Sequence, residues 1–150
     1  MKRIQNYALV LLSLLLFNVN DALASEVIYL TQTNCQFIEA ENGLDHHFQS
    51  RSSDDCVRLN EKSADQRLAK AKVLRLKAGD YLFRVQNRDV SYALGFWLRG
   101  AGLSRLSLPG VSGGGITTGQ SRDYAVALVP GTYIYSCPLN PTPDYILHVK

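Results

Sequence analysis

The strongest constraint on this chain lies near its C-terminal end, where residues 131–150 read GTYIYSCPLNPTPDYILHVK. Gly131 follows Pro130, a turn signal, and beyond it Tyr133, Tyr135 and Cys137 alternate with Thr132, Ile134 and Ser136. Period-two alternation describes a strand with one buried face, here ending on a cysteine. Pro138, Pro141 and Pro143 then remove three backbone donors and fix three φ angles, which makes residues 137–144 a stiff loop rather than helix or central strand. Residues 145–149 supply a last strand.

The stretch from Lys72 onward carries strand signals throughout. Residues 73–76 form one strand, Lys77-Ala78-Gly79-Asp80 a turn, and residues 81–86 the next, with Tyr81, Phe83 and Val85 on one face. Residues 92–98 are apolar on both faces, as a strand covered on both sides would be, and place the single Trp97 in the interior. The Gly- and Ser-rich residues 100–120 read as a mobile surface loop; the run Gly113-Gly114-Gly115 lacks the Gly-Lys-Ser/Thr of a phosphate loop. Residues 124–129 form a further strand. Upstream, residues 26–33 read as a first strand and 34–53 as a long polar loop. Asp54 caps a short helix to Leu59, and Ser63 with Gln66 opens a second over residues 64–71. About seven strands without βαβ alternation predict an all-β, antiparallel Greek-key sandwich with a short helical insertion near residues 54–71.

Residues 1–24 are read as a secretory signal peptide: Lys2 and Arg3, an apolar run over 8–17, and Ala22-Leu23-Ala24 as the cleavage site. The run is about half of the roughly twenty residues that a span needs, so no membrane insertion is expected after cleavage. The domain is then residues 25–150, with 34–71 as its loop and helix insertion. Removing Lys2, Arg3 and Asp21 lowers the formal charge from +3 to +2. The basic residues are scattered, which argues against a nucleic-acid partner. A periplasmic or secreted location is oxidising, and Cys35, Cys56 and Cys137 allow three single pairings there. The preferred disulfide is Cys35–Cys56, which would staple the polar segment between them and leave Cys137 a free thiol.

The turn, the G-x-Y-x-Y-x-C strand, the short loop and the terminal strand resemble the copper-ligand loop of the cupredoxins. Residues 81–87, ending on Asn87, followed by residues 90–96 resemble that family's strand, Asn and first-ligand loop, so the likeness covers about residues 72–150. It implies a blue-copper sandwich, with Cys137 at the thiolate position. The first imidazole position falls on Tyr92, the second on Asn140, and the axial Met on Pro143 or Tyr145. A trigonal copper site needs two imidazoles and a thiolate, so the positions Tyr92, Asn140 and Tyr145 are degenerate and a type 1 centre is not expected there.

The richest donor set elsewhere is Asp45-His46-His47 beside Glu39, Glu41 and Cys35. Imidazole and carboxylate sets of this kind accept copper, nickel or zinc, and a loop folded back over Cys137 would allow a metal site of Cys137, His46, His47 and Glu39. A solvated polar loop is the competing reading. His148 is expected on the exposed face of the last strand. No Ser-His-Asp arrangement has supporting context, so an enzyme is not expected. These features describe a non-enzymatic periplasmic protein that binds a metal, copper first, or serves a periplasmic protein partner as an accessory module. The alternative is a soluble copper electron carrier.

Overall fold

The computed structural model describes residues 25–150; the signal-peptide reading of residues 1–24 lies outside them. In chain order the elements are β1 (Glu26–Thr33), β2 (Gln36–Phe37), a 3-10 turn (Glu39–Glu41), helix α1 (Ser53–Leu68), β3 (Leu74–Leu76), β4 (Gly79–Asn87) and β5 (Leu94–Gly100). A second 3-10 turn (Gly102–Leu106), β6 (Val111–Ile116), β7 (Ser121–Leu128), β8 (Gly131–Ser136) and β9 (Tyr145–Val149) follow. Two sheets face each other, one ordered β2-β1-β4-β7 and the other β3-β9-β8-β5-β6. The sandwich is as expected, but both sheets are mixed. Strand β1 lies parallel to β4 and β3 parallel to β9, pairings that alternation along a single strand does not encode.

The buried faces are the alternating ones. Tyr81, Phe83 and Val85 of β4, Tyr124, Val126 and Leu128 of β7, and Tyr133, Tyr135 and Cys137 at β8 all point inward. Phe96 of β5 is the centre of this layer, with ring centroids 5.2 Å from Tyr124, 5.6 Å from Phe83 and 6.2 Å from Phe37. Offset and edge-on contacts at such distances add about 0.5–1.5 kcal/mol per pair to the burial itself.

Four expectations are corrected. Trp97 lies between the inward Phe96 and Leu98, so the pleat turns it outward, where it is half-buried under the Arg99 guanidinium at 3.9 Å. Residues 100–120 are no loose loop: the triple glycine falls in edge strand β6, where a Cβ on Gly113 would lie 2.9 Å from the Tyr124 ring. Glycine is there so that two layers can touch, and a residue without a side chain gives no alternation to read. The polar segment 34–53 contains β2, and its Phe37 is fully buried against Phe96, Tyr135 and Tyr145.

The helical insertion is one helix rather than two. It starts at a Ser52 and Asp55 capping box, with Asp55 Oδ2 accepting the Arg51 N–H at 2.8 Å. Ser63, expected to begin a second helix, instead donates from Oγ to the Leu59 carbonyl at 2.8 Å, the back-bond of a serine inside a helix.

Candidate functional site

The end of the sandwich where β4, β5 and β8 give way to loops gathers the residues of the C-terminal motif. Asn87, the last residue of β4, is fully buried and acts as a bracket. Its Nδ2 donates to the carbonyls of Val90, Tyr92 and Ile116 at 3.0–3.1 Å, and its Oδ1 accepts the Val90 N–H at 2.9 Å. This fixes the turn that delivers Tyr92. The hydroxyl of Tyr92 donates to Asn140 Oδ1 at 3.1 Å and pairs with Ser50 Oγ at 2.9 Å.

Cys137 follows β8 and points inward, its sulfur accepting the N–H of Gly95 at 3.3 Å and of Asn140 at 3.2 Å. Burial pushes its thiol up from the ordinary cysteine value, with these N–H donors pulling only partly the other way. It is a buried, protonated thiol at neutral pH. Burial likewise raises the Tyr92 phenol, so it too keeps its proton.

Asn140 is the hub of this end. Its Oδ1 accepts the backbone N–H of Cys35 at 2.9 Å, and its Nδ2 donates to the Thr33 carbonyl at 2.8 Å. Cys35 has φ 64°, a left-handed conformation at the turn between β1 and β2, and the Asn140 side chain satisfies the polar backbone that this turn leaves over. Beside it Cys35 and Cys56 form the expected disulfide, and Cys137 is free. The Cys56 sulfur touches Asn140 Oδ1 at 3.2 Å, a sulfur–oxygen contact since a bridged sulfur has no proton to donate. Gln32, absent from the expected site, is fully buried here and donates to the Gly95 carbonyl at 2.8 Å.

Tyr92, Cys137 and Asn140 therefore do meet, as the motif requires. They do not fit copper. The two groups expected at imidazole positions are a protonated phenol and a neutral amide whose oxygen already accepts two hydrogen bonds. Tyr145 is not part of this end: it opens β9 with its ring in the core and its hydroxyl on Glu41 and Arg67.

The histidine cluster is spread out. Glu39 Oε2 accepts the Thr31 N–H at 2.7 Å, His46 Nε2 lies 2.5 Å from Glu41 Oε2, and His47, with its side chain 83% exposed, faces Asp45 at 3.6 Å. Among the described residues no three of His, Cys, Asp and Glu stand together as a metal would need. His148 is on the outer face as expected but half-buried, its Nδ1 3.1 Å from Thr132 Oγ1.

What the sequence reading missed is a buried ion pair under the insertion. Arg67 of α1 donates from Nε to Glu41 Oε1 at 2.9 Å, from Nη2 to the same oxygen at 2.5 Å, from Nη1 to Asn60 Oδ1 at 2.8 Å and from Nη2 to the Cys35 carbonyl at 2.9 Å. Burial alone would raise the Glu41 carboxyl, but the bonds from Arg67, Tyr145 and His46 outweigh it and hold the group below the usual carboxylate value. The only sequence signal for this pair would have been an arginine on the face of α1 that must turn toward the sandwich.

No family model matches the chain, and no curated protein matches it. Solved structures do. Auracyanin B is similar at 12% identity with a TM-score of 0.50, over 83% of this chain and 88% of that one. A reduced amicyanin variant is similar at 13% identity and a TM-score of 0.47, over 86% and 87%. Among the described residues no helix is long and apolar enough to cross a membrane. With the sheet order, the Asn87 bracket and the Cys137 strand end, the likeness to auracyanin B gives the chain a cupredoxin-like fold.

Proposed function

We propose that this protein is a non-enzymatic, secreted or periplasmic accessory module in which the cupredoxin-like frame is kept and the type 1 copper chemistry is given up. What carries this reading is Asn140. At the position where the fold's copper proteins would need an imidazole, it spends both ends of its amide on the backbone of Thr33 and Cys35. The disulfide beside it supports an oxidising compartment. A soluble copper electron carrier, the alternative, would need a deprotonated Cys137 and two imidazoles near it.

Optical spectroscopy with Cu(II) tests this. The parent protein is expected to show no intense visible thiolate-to-copper band, and Tyr92→His with Asn140→His is expected to gain one that a further Cys137→Ser abolishes. An intense band in the parent would overturn the reading.

A non-standard metal site is the second reading, and the observation in its favour is the Glu41–His46 pair. A carboxylate holding one ring nitrogen is how metal-binding histidines are commonly oriented, and it leaves Nδ1 free. On this reading, His46→Ala with His47→Ala is expected to remove most Cu(II) affinity in titration calorimetry. Unchanged affinity would rule these residues out.

A further inference from the structure

Beyond the Cys137 end, one face of α1 departs from what packing demands. Ser63, Gln66 and Arg67 fall at i, i+3 and i+4, the spacing at which a helix laid on a sandwich would carry apolar residues, and Lys70 follows in the turn just past Leu68. Here that polar face forms one wall of a cleft of about 440 Å³. The opposite wall is the segment after the Glu39–Glu41 turn. Asn42 and Gly43, with φ 59° and 81°, reverse the chain so that Leu44, His46 and Phe48 line it.

The floor is rigid. Arg67 and Glu41 are each only 5% exposed at their side chains, locked to one another, and Arg67 Cζ lies 4.9 Å from the centre of the Phe48 ring. His46 stacks on Phe48 at 4.9 Å with planes 11° apart. The cleft is thus lined by a Phe48–His46 stack braced by the Arg67 guanidinium, with Leu44 more than half exposed at its edge.

Its charges do not cancel. Among the described residues, Glu41 is the one carboxylate lining the cleft and is matched by Arg67, Lys70 at the rim has no carboxylate partner, and Gln66 makes no side-chain hydrogen bond. Volume in the range of small-ligand sites, a rigid apolar surface and a few convergent polar groups are the ordinary constituents of a binding pocket.

We propose that this cleft binds a small organic monoanion with a flat apolar body, an aryl carboxylate by class, with the ring laid on Leu44 and the Phe48–His46 stack and the carboxylate turned to Lys70 and Gln66. The proposal is independent of copper and of the accessory-module reading. It also gives the buried Glu41–Arg67 pair a use. A pair of this kind is a poor source of stability compared with apolar packing, but it makes a floor that does not move when a ligand lands.

The test is an amide-resolved NMR titration of the purified protein with benzoate, with benzamide as its uncharged counterpart. Benzoate is expected to give saturable shifts confined to Leu44, Phe48, Gln66, Lys70 and their neighbours. Affinity should fall at least tenfold for benzamide and for Lys70→Gln, whose side chain is exposed and whose loss leaves the fold intact. Gln66→Trp, also at an exposed position, should fill the cleft and abolish the shifts while the remaining spectrum stays that of the parent. Equal binding of benzamide, an unaffected Lys70→Gln, shifts centred elsewhere, or no shifts at all would each overturn the proposal.

Discussion

Replacing Arg67 by Met should cost about 3–5 kcal/mol of stability, because Glu41 would be left as a buried charge with no cation. Urea unfolding followed by circular dichroism measures it. The companion variant, Glu41→Leu with Arg67→Met, removes the charge as well as its partner and should recover most of the loss. If Arg67→Met alone stays within about 1 kcal/mol of the parent, Glu41 does not depend on Arg67 for its charge balance.

The effect should also depend on pH. In the parent, the Glu41 carboxyl is held below its ordinary value of 4.5, so its contribution is in place above that value and is lost as pH falls through the lower, folded one. In Arg67→Met the same carboxyl, still buried, takes up a proton more readily than in the unfolded chain. The deficit of that variant should therefore be greatest near neutrality and shrink on acidification.

Asn140→Ala is expected to have the second largest effect, about 2–4 kcal/mol, since it strands the Cys35 N–H and the Thr33 carbonyl in a buried place at about 1–3 kcal/mol each. Calorimetry gives the loss, and hydrogen exchange shows where it falls. The Cys35 amide should lose protection along with the turn between β1 and β2, while the β4–β7 ladder keeps its own. Uniform loss of protection, or none at Cys35, would show that Asn140 does not hold that turn.

Much of this architecture could be read from side chains that alternate. The span of β1 is the one expected, and the inward residues of β4 and β8 fall where their pattern puts them. The reading failed wherever the controlling physics was not periodic. Gly113 belongs to a strand because Tyr124 occupies the space a side chain would take. Trp97 faces outward because its neighbours do not, although the apolar run over residues 92–98 suggested a strand covered on both sides. Ser63 looked like a cap, and only the backbone before it, already helical from Ser53, makes it an interior residue.

The candidate site divides in the same way. The meeting of Tyr92, Cys137 and Asn140 was legible through the motif, and the Cys35–Cys56 pairing through the polar segment it closes. What Asn140 does there was not, because its partners lie 105 and 107 residues away and are backbone atoms, which carry no sequence signature. Glu41 and Arg67 are 26 residues apart in a polar segment, where one acid and one base look like any others.

The parallel pairing of β3 with β9 bears on the order in which the chain can assemble. Strand β3 is only Leu74–Leu76, and its one neighbour in the sheet is β9. While the ribosome is still making the residues after β3, those three have nothing to pair with, and the turn at Cys35 waits likewise for Asn140. Loops that long close slowly, which places such a chain among the slower folders. The Cys35–Cys56 loop, with a separation of 21 residues, can close much sooner. The disulfide thus closes a far shorter loop than either the β3–β9 pairing or the contact of Asn140 with Cys35.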